Sequence, residues 1–416
     1  VTDSAPSHVL GHRDFRLFLA GRILAGLAMR MLEVAIGWHL YDLTGDPLAL
    51  GYAGLAVFLP VALLSLPGGD IADRFDRRWI LALSHMTQAL CSAILVGLSV
   101  ADAPQLWPFY VVLVLSGIGR AFSGPAMASF TPFLVPRAQF ANAVGWSSSA
   151  MQTAMIIGPA LGGLLYLFGA PVVFAACLVC SLSMTAAVLA IRTRTGSGDF
   201  DEGVSALSRV ISGLAFVRRQ PVIFGAITLD LFAVLLGGIT ALLPIYAKDI
   251  LQIGPDGLGL LRSALAVGSV SVALLLANLP PQHHPHAGRA IFFGVALFGA
   301  SILVFGLSTS FVLSLIALFA MGVGDMISVF VRQTVMQLAT PDTMRGRVTS
   351  VHMLFVGASN ELGDFRAGVM AAWLGTVPAV LFGGVSTLAV VALWAWLFPA
   401  LRRIDRLAEV TPRAGD

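Results

Sequence analysis

The chain has 416 residues, of which 11% are charged and 57% hydrophobic, with a mean hydropathy of +0.87. Soluble domains carry about 25% charge, so a soluble fold of this size is excluded; at roughly 20 apolar residues per spanning helix there is room for about a dozen. The formal net charge of +3 says little by itself, because the placement of the charges carries the information.

The first dozen residues are polar, with Ser4, Ser7, His8 and His12 among them, and the apolar run that follows, 14–42, is far too long for a signal-peptide core. That run is expected to stay as an anchor behind a short tail, 1–13. Val1 is expected to be a GTG start codon read literally, which points to a bacterial source. Arg22, Arg30 and Glu33 lie inside this first run.

Further apolar runs cover 48–69, 78–100, 106–127, 140–168 and 171–191. Between the second and third stands Gly69-Asp70-Ile71-Ala72-Asp73-Arg74-Phe75-Asp76-Arg77-Arg78. A carboxylate here can sit against a helix N-terminus, where the macrodipole favours it. The arginines can pair with acids on a neighbouring helix, which would make a latch that a conformational cycle breaks and remakes. The bland alternative is a basic anchor on the inner membrane face. Arg120 lies in the fourth run, and Gly117-x-Gly119 there is no dinucleotide fingerprint, since no strand precedes it. The fifth run carries Gly145, Ala154, Gly158-Pro159 and Gly162-Gly163. Small residues let helices approach closely, and proline removes a backbone donor. Cys91 and the Cys177-x-x-Cys180 pair read as small packing residues, because zinc and redox chemistry need a polar, accessible setting.

The longest break, 192–220, holds Arg192, Arg194, Asp199, Asp201 and Glu202. Val204, Leu207, Val210, Ile211, Leu214 and Phe216 then recur at helical spacing beside Arg209, Arg218 and Arg219, a pattern expected of an amphipathic helix on the membrane surface. Six more runs follow at 221–247, 257–279, 288–308, 310–334, 348–374 and 377–398, before a tail at 399–416. They contain Asp230, Arg262, Asp325 with Arg332, and Glu361, Asp364 and Arg366. Charge at the bilayer centre costs from a few to more than ~10 kcal/mol, so it marks pairing or transport. The loop with His283, His284 and His286 is irregularly spaced and interrupted by Pro285, so no metal site is expected.

A shift of 205 residues places Gly117-Ile118-Gly119-Arg120 on Gly322-Val323-Gly324-Asp325, Pro136 on Pro341, Gly158 on Gly363 and Gly163 on Gly368. The expected fold is an all-α membrane protein of twelve transmembrane helices, in two pseudo-symmetric six-helix bundles (14–191 and 221–398) around a central cavity. Arg74, Arg77, Arg78, Arg137, Arg192, Arg218, Arg289, Arg345, Arg347, Arg402 and Arg403 then fall on one side, which places 192–220 and both termini in the cytoplasm.

The segment ending in Asp73-Arg74-Phe75-Asp76-Arg77-Arg78 resembles motif A of the major facilitator superfamily, G-x-x-x-D-R-x-G-R-R, with Asp76 in place of glycine. The fifth run is similar to motif C of its proton-coupled drug-exporting branches, with Ala154 in place of one glycine. Gly37-Trp38-His39-Leu40-Tyr41-Asp42-Leu43-Thr44, Thr228-Leu229-Asp230-Leu231-Phe232, Pro341-Asp342-Thr343-Met344-Arg345-Gly346-Arg347 and Ser359-Asn360-Glu361-Leu362-Gly363 resemble the enterobactin-exporter-like branch. The resemblance implies export by alternating access, with the first helix of each three-helix unit lining the cavity, and a latch made of Gly69, Asp73, Arg74, Arg77, Arg78, Arg345 and Arg347.

A carboxylate that loses its hydration gains affinity for a proton, and a neighbouring arginine opposes this. Asp230, Asp325, Glu361 or Glu33 is therefore a candidate proton carrier, with Arg120 the foremost competitor and Arg30 and Arg262 as further cavity cations. The bland alternative is a set of static ion pairs. No Walker motif, catalytic triad or zinc-protease helix appears, so neither an enzyme nor an ATP-driven pump is expected, and no cofactor, metal or nucleic acid. The reading is a monomeric, proton-coupled exporter of a small amphipathic molecule, a siderophore or a drug, in a bacterial plasma membrane. Uptake or uniport of a metabolite or lysolipid, and a non-transporting receptor or assembly subunit, stay open as alternatives.

Overall fold

The computed structural model describes residues 8–101, 105–194, 206–277 and 286–403, and among these every regular element is helical. An apolar chain in lipid must satisfy its backbone groups internally, and the helix does so within one segment. The long helices are α1 (Arg13–Thr44), α2 (Pro47–Arg74), α3 (Arg77–Val100), α4 (Trp107–Leu134), α5 (Phe140–Tyr166) and α6 (Ala170–Ala190). A shorter α7 (Ala206–Arg219) precedes α8 (Pro221–Gly237), α9 (Pro255–Ala277), α10 (Ala287–Leu307), α11 (Phe311–Ala339), α12 (Asp342–Leu374) and α13 (Thr376–Leu397). Each apolar run coincides with one of these helices, and α7 occupies the long break. Among the described residues, nine helices are long and apolar enough to cross a membrane. The expectation of twelve spans is thus met on apolarity alone by nine. The other three are α1 and α12, which carry the interrupting charges, and α5, whose serines and glycines lower its hydropathy.

By contacts the chain divides into two compact units, one of Val1–Leu43, Ala56–Ala206 and Gly254–Gly259, the other of Thr44–Leu55, Leu207–Ile253 and Leu260–Asp416. In the first, Phe15, Phe18, Leu81, Phe130 and Met184 form a core in which the Phe18 and Phe130 rings meet edge-on at 5.5 Å. In the second, Leu229, Ile291, Val295, Val331 and Val335 do the same between α8, α10 and α11.

The internal repeat has a packing basis. A Cβ on Gly117 of α4 would overlap the Val57 carbonyl of α2, and one on Gly322 of α11 would overlap the Leu265 carbonyl of α9. Each unit therefore brings two backbones together at the same repeat position. Gly169 (φ 104°) and Gly375 (φ 90°) begin the turns into α6 and α13, a conformation that favours glycine. They differ by 375 − 169, one more than the 205-residue shift, so the repeat gains a residue by this turn.

Part of the apolar stripe of α7 is covered within the second unit, while Ile211 stays exposed. Val210, Leu214 and Val217 pack with Met336, Ala339, Val348 and Val351 of α11 and α12. A Cβ on Gly213 would sit 2.6 Å from the Arg347 carbonyl oxygen. The sequence period gives the stripe, and the second unit supplies the apolar partner.

Alanine in a helix interior normally gains up to ~1 kcal/mol over glycine. At Gly322 the sign reverses, because overpacking costs about 1–3 kcal/mol. Gly322→Ala is expected to lower the thermal unfolding midpoint of the purified protein in detergent, whereas Gly346→Ala, with nothing within 4 Å, holds or raises it.

Candidate functional site

The first unit contains a partly open cavity of about 450 Å³. One face of α1 supplies Arg22, Ala25, Gly26, Met29, Leu32, Glu33 and Ile36, positions that recur every three or four residues as a helix face requires. Val57 and Val61 of α2, His85 and Gln88 of α3, Leu113, Ser116, Arg120 and Met127 of α4, Met151 of α5, and Cys177 and Ser181 of α6 complete most of the wall. The wall is mostly apolar, and its charge is concentrated. Glu33 Oε2 accepts from Arg30 at 2.8 Å, one turn away on the same helix, and Glu33 Oε1 lies 4.0 Å from Arg120. Gln88 donates to the Ser116 carbonyl and Ser116 Oγ donates back to Gln88, both at 2.8 Å, so this polar pair is satisfied internally. The Cys177 thiol donates to the Ala28 carbonyl at 3.4 Å and Cys91 to the Val112 carbonyl at 3.6 Å, both in packed surroundings.

In the second unit Asp230 of α8 forms an ion pair with Arg332 of α11, with side chains only 9% and 3% exposed. Asp325 stands seven residues before Arg332, two turns along α11, and so shares its face. The α8 helix stops at Gly237 and continues through a 3-10 turn, Thr240–Leu242, and a π-turn, Tyr246–Ile250. The interruption frees backbone groups, and α12 satisfies them. Arg366 donates to the Leu235 carbonyl at 3.0 Å and to the Gly238 carbonyl at 3.1 Å, while Asp364 accepts the Ala241 N–H at 3.2 Å. Two of the intramembrane charges seen in the sequence are thereby bound to a broken helix. Arg262 lies on α9 and Glu361 on α12, one turn before Asp364.

At the motif linking α2 and α3, Asp76 caps α3 by accepting from the Arg78 N–H at 3.1 Å, a role glycine has no side chain to fill. Arg77 donates to Ser129 at 2.9 Å with its guanidinium 4.8 Å from the Phe133 ring, and Arg78 donates to the Ile191 carbonyl at 2.7 Å. Both tie α3 to α4 and to the end of α6 within the first unit. Arg74 is exposed at the end of α2, Gly69 has open space around it, and the side chain of Asp73 lies outside the described residues. Arg345 donates to the Gln337 carbonyl at 3.4 Å, and Arg347 lies 3.7 Å from the Met344 sulfur. In α5, a Cβ at Gly158 would meet Arg30, and one at Gly162 would meet the Met31 backbone at 2.8 Å. Ala154 faces Gly26, Pro159 is buried beside Gly158, and Gly145 has no neighbour within 4 Å. Of the histidine loop, only His286 falls among the described residues.

The structure thus joins Glu33 with Arg30 and Arg120, and Asp230 with Arg332. The sequence marks Arg120 as the foremost competitor without indicating its acid, and nothing in it singles out Arg332 as a cavity cation. Nor does it single out His85, a lone histidine in an apolar run that becomes a cavity residue only when α3 packs.

A family described as transmembrane secretion effector matches residues 4–413. Macrolide efflux protein A of Streptococcus pyogenes is 24% identical over 398 residues, covering 94% of this chain and 97% of that protein. The enterobactin exporter EntS of Escherichia coli O1:K1 / APEC is 22% identical over 403 residues, covering 94% and 93%. Among solved structures, a bacterial homologue of the human lysosomal transporter Spinster, inward-facing and unoccupied, aligns with a TM-score of 0.70 at 14% identity over 96% of this chain and 97% of that one. That likeness carries the fold alone.

Removing one partner of a buried pair strands a charge at a cost of about 3–5 kcal/mol, whereas removing both is often nearly neutral. Arg332→Met is therefore expected to depress the unfolding midpoint strongly, and the Asp230→Leu, Arg332→Met double variant to recover most of the loss. Equal midpoints for the single and double variants would show the pair to be uncoupled.

Proposed function

The chain belongs to the transmembrane secretion effector family of the major facilitator superfamily, membrane transporters rather than enzymes, and from that premise we propose that it exports a small amphipathic molecule in exchange for protons. The observation that carries the proposal is the first unit's cavity, which is about 450 Å³, apolar along most of its wall and charged at a few positions. Pockets for small ligands have this constitution, apolar surface for affinity and sparse polar groups for orientation. The direction is supported by relatives whose names describe efflux of a macrolide and export of enterobactin.

The proton is assigned to the acids of the second unit. Asp230 is paired with Arg332, and Asp325 lies on the same face of α11. A cycle that separates Asp230 from Arg332 leaves a desolvated carboxylate, which takes up a proton, and re-forming the pair expels it. Glu33, engaged by Arg30 and close to Arg120, and Glu361 are secondary candidates. The organisation that goes with this reading is two six-helix bundles, 14–191 and 221–398, joined by a cytoplasmic 192–220 linker, working by alternating access as a monomer in a bacterial plasma membrane. Both termini are cytoplasmic in it, and Gly69, Asp73, Arg74, Arg77, Arg78, Arg345 and Arg347 form the inner latch.

The test uses everted membrane vesicles with an acidic interior and a fluorescent reporter of the pH gradient. Addition of a catecholate siderophore, a macrolide or a lipophilic cation is expected to collapse the gradient partly for one class, relative to vesicles lacking the protein. Asp230→Asn or Asp325→Asn, inserted at normal levels, is expected to reduce that collapse at least tenfold. Full collapse in both variants would remove the proton from these acids, and silence with every cargo would favour uptake or uniport.

A further inference from the structure

We infer that the first unit's cavity is an anion site: it takes an amphipathic organic acid, its carboxylate toward Arg22 and His85 and its apolar body along α1. The inference rests on reading this cavity as the cargo site, and it names the chemical class of the cargo.

Charge gives the first argument. Glu33 is the one acid among the described lining residues, and Arg30 already engages it at 2.8 Å. Arg120 stands farther off, at 4.0 Å from Glu33, and Arg22 forms no ion pair among the described residues. The cavity with Arg30 thus carries three arginines against one carboxylate. A cationic cargo would meet this excess with its natural counter-ion already taken, whereas an anion relieves it.

Unmet hydrogen bonds give the second. Arg22 Nε is buried without a partner, and so is Nε2 of His85, a residue only 7% exposed. A buried donor left unpaired is costly, and a hydrogen bond to a charged group is stronger than one between neutral groups. Arg22 stands nine residues into α1 and His85 eight residues into α3, about 14 and 12 Å along their helices. Both line one cavity, and in the proposed complex the two oxygens of the carboxylate take one each, with His85 donating in its Nε2–H tautomer. Gln88 and Ser116 satisfy each other, so they make no competing demand on that group.

Shape gives the third. Arg22 and Glu33 lie about 16 Å apart along α1, separated by Ala25, Gly26, Met29 and Leu32. An apolar body fits this wall, and a positive charge on it would be tolerated only at the Glu33 end.

The probes are pyrenebutyrate, pyrenebutanol and pyrenebutylammonium, which share one apolar body and differ in the head group. Binding to the full chain in lipid nanodiscs is read by pyrene fluorescence, with empty nanodiscs as the blank. Pyrenebutyrate is expected to bind at least about tenfold more tightly than pyrenebutanol, with the ammonium weakest. Arg22→Gln is expected to erase the preference for carboxylate over alcohol, and Arg22→Lys to keep most of it. Glu33→Gln is expected to widen the preference, an effect of the opposite sign that a folding defect would not produce. Equal or tighter binding of the alcohol or the ammonium, binding of no probe above the blank, or discrimination unchanged in Arg22→Gln would each overturn the inference. The readout does not depend on a proton gradient. Selective binding with no gradient collapse in vesicles would sink the antiport reading alone, and collapse without head-group selectivity would sink the anion site alone.

Discussion

The structure depends on one constraint: a charge or a free backbone group removed from water must find a partner inside the protein. In a chain with only 11% charged residues, every intramembrane charge bears on that constraint. Asp230 finds Arg332, Glu33 finds Arg30 with Arg120 at the edge of contact, and Asp364 and Arg366 find the backbone of a helix that stops at Gly237. These solutions have different physical meanings. A pair between two side chains can separate and re-form, so it is suited to a cycle. A side chain bound to two carbonyls of an interrupted helix is a staple, and loosening it would expose the backbone it covers.

That distinction sorts the intramembrane charges more finely than their positions along the chain do. Glu361 and Asp364 stand one turn apart on one helix, and the spacing treats them alike. Asp364 nevertheless accepts a backbone N–H from the broken part of the α8 segment. Arg366, two residues on, is held by Leu235 and Gly238 rather than by an acid. Discontinuous helices lining a polar site are a recurring device in transporters, because a helix break is tolerated only where protein satisfies it.

Close approach of backbones is the second recurring theme. Gly117 on Val57 and Gly322 on Leu265 place α4 against α2 and α11 against α9 without side chains between them. Lipid offers no hydrophobic drive for helix association, so van der Waals contact between such small-residue faces supplies much of it. The same logic operates in α5, where Gly158 and Gly162 lie against Arg30 and Met31. By seating α5 directly on α1, these glycines set the helix that carries the Arg30–Glu33 pair.

The sequence by itself determined the membrane setting, the helical class and the positions of the apolar runs, because these reside in composition and in short-range periodicity; the internal repeat shows in matches at one 205-residue offset, and the superfamily in the resemblance of its motifs. It also determined that the charges at 22, 30, 33, 120, 230, 262, 325, 332, 361, 364 and 366 are exceptional. Apart from Arg30 and Glu33, one turn apart on α1, only the tertiary structure decided their partners. Asp230 and Arg332 are 102 residues apart (332 − 230), and no local spacing couples them. His85 and Arg22 come to one cavity because α1 and α3 line the same wall, and the stripe of α7 has α11 and α12 to cover it. Helix propensity and hydropathy act over one or two turns, while pairing depends on which faces meet. In a chain where nearly every helix is apolar on all sides, those faces are chosen by glycines and stray charges, whose effect appears only once the helices are packed.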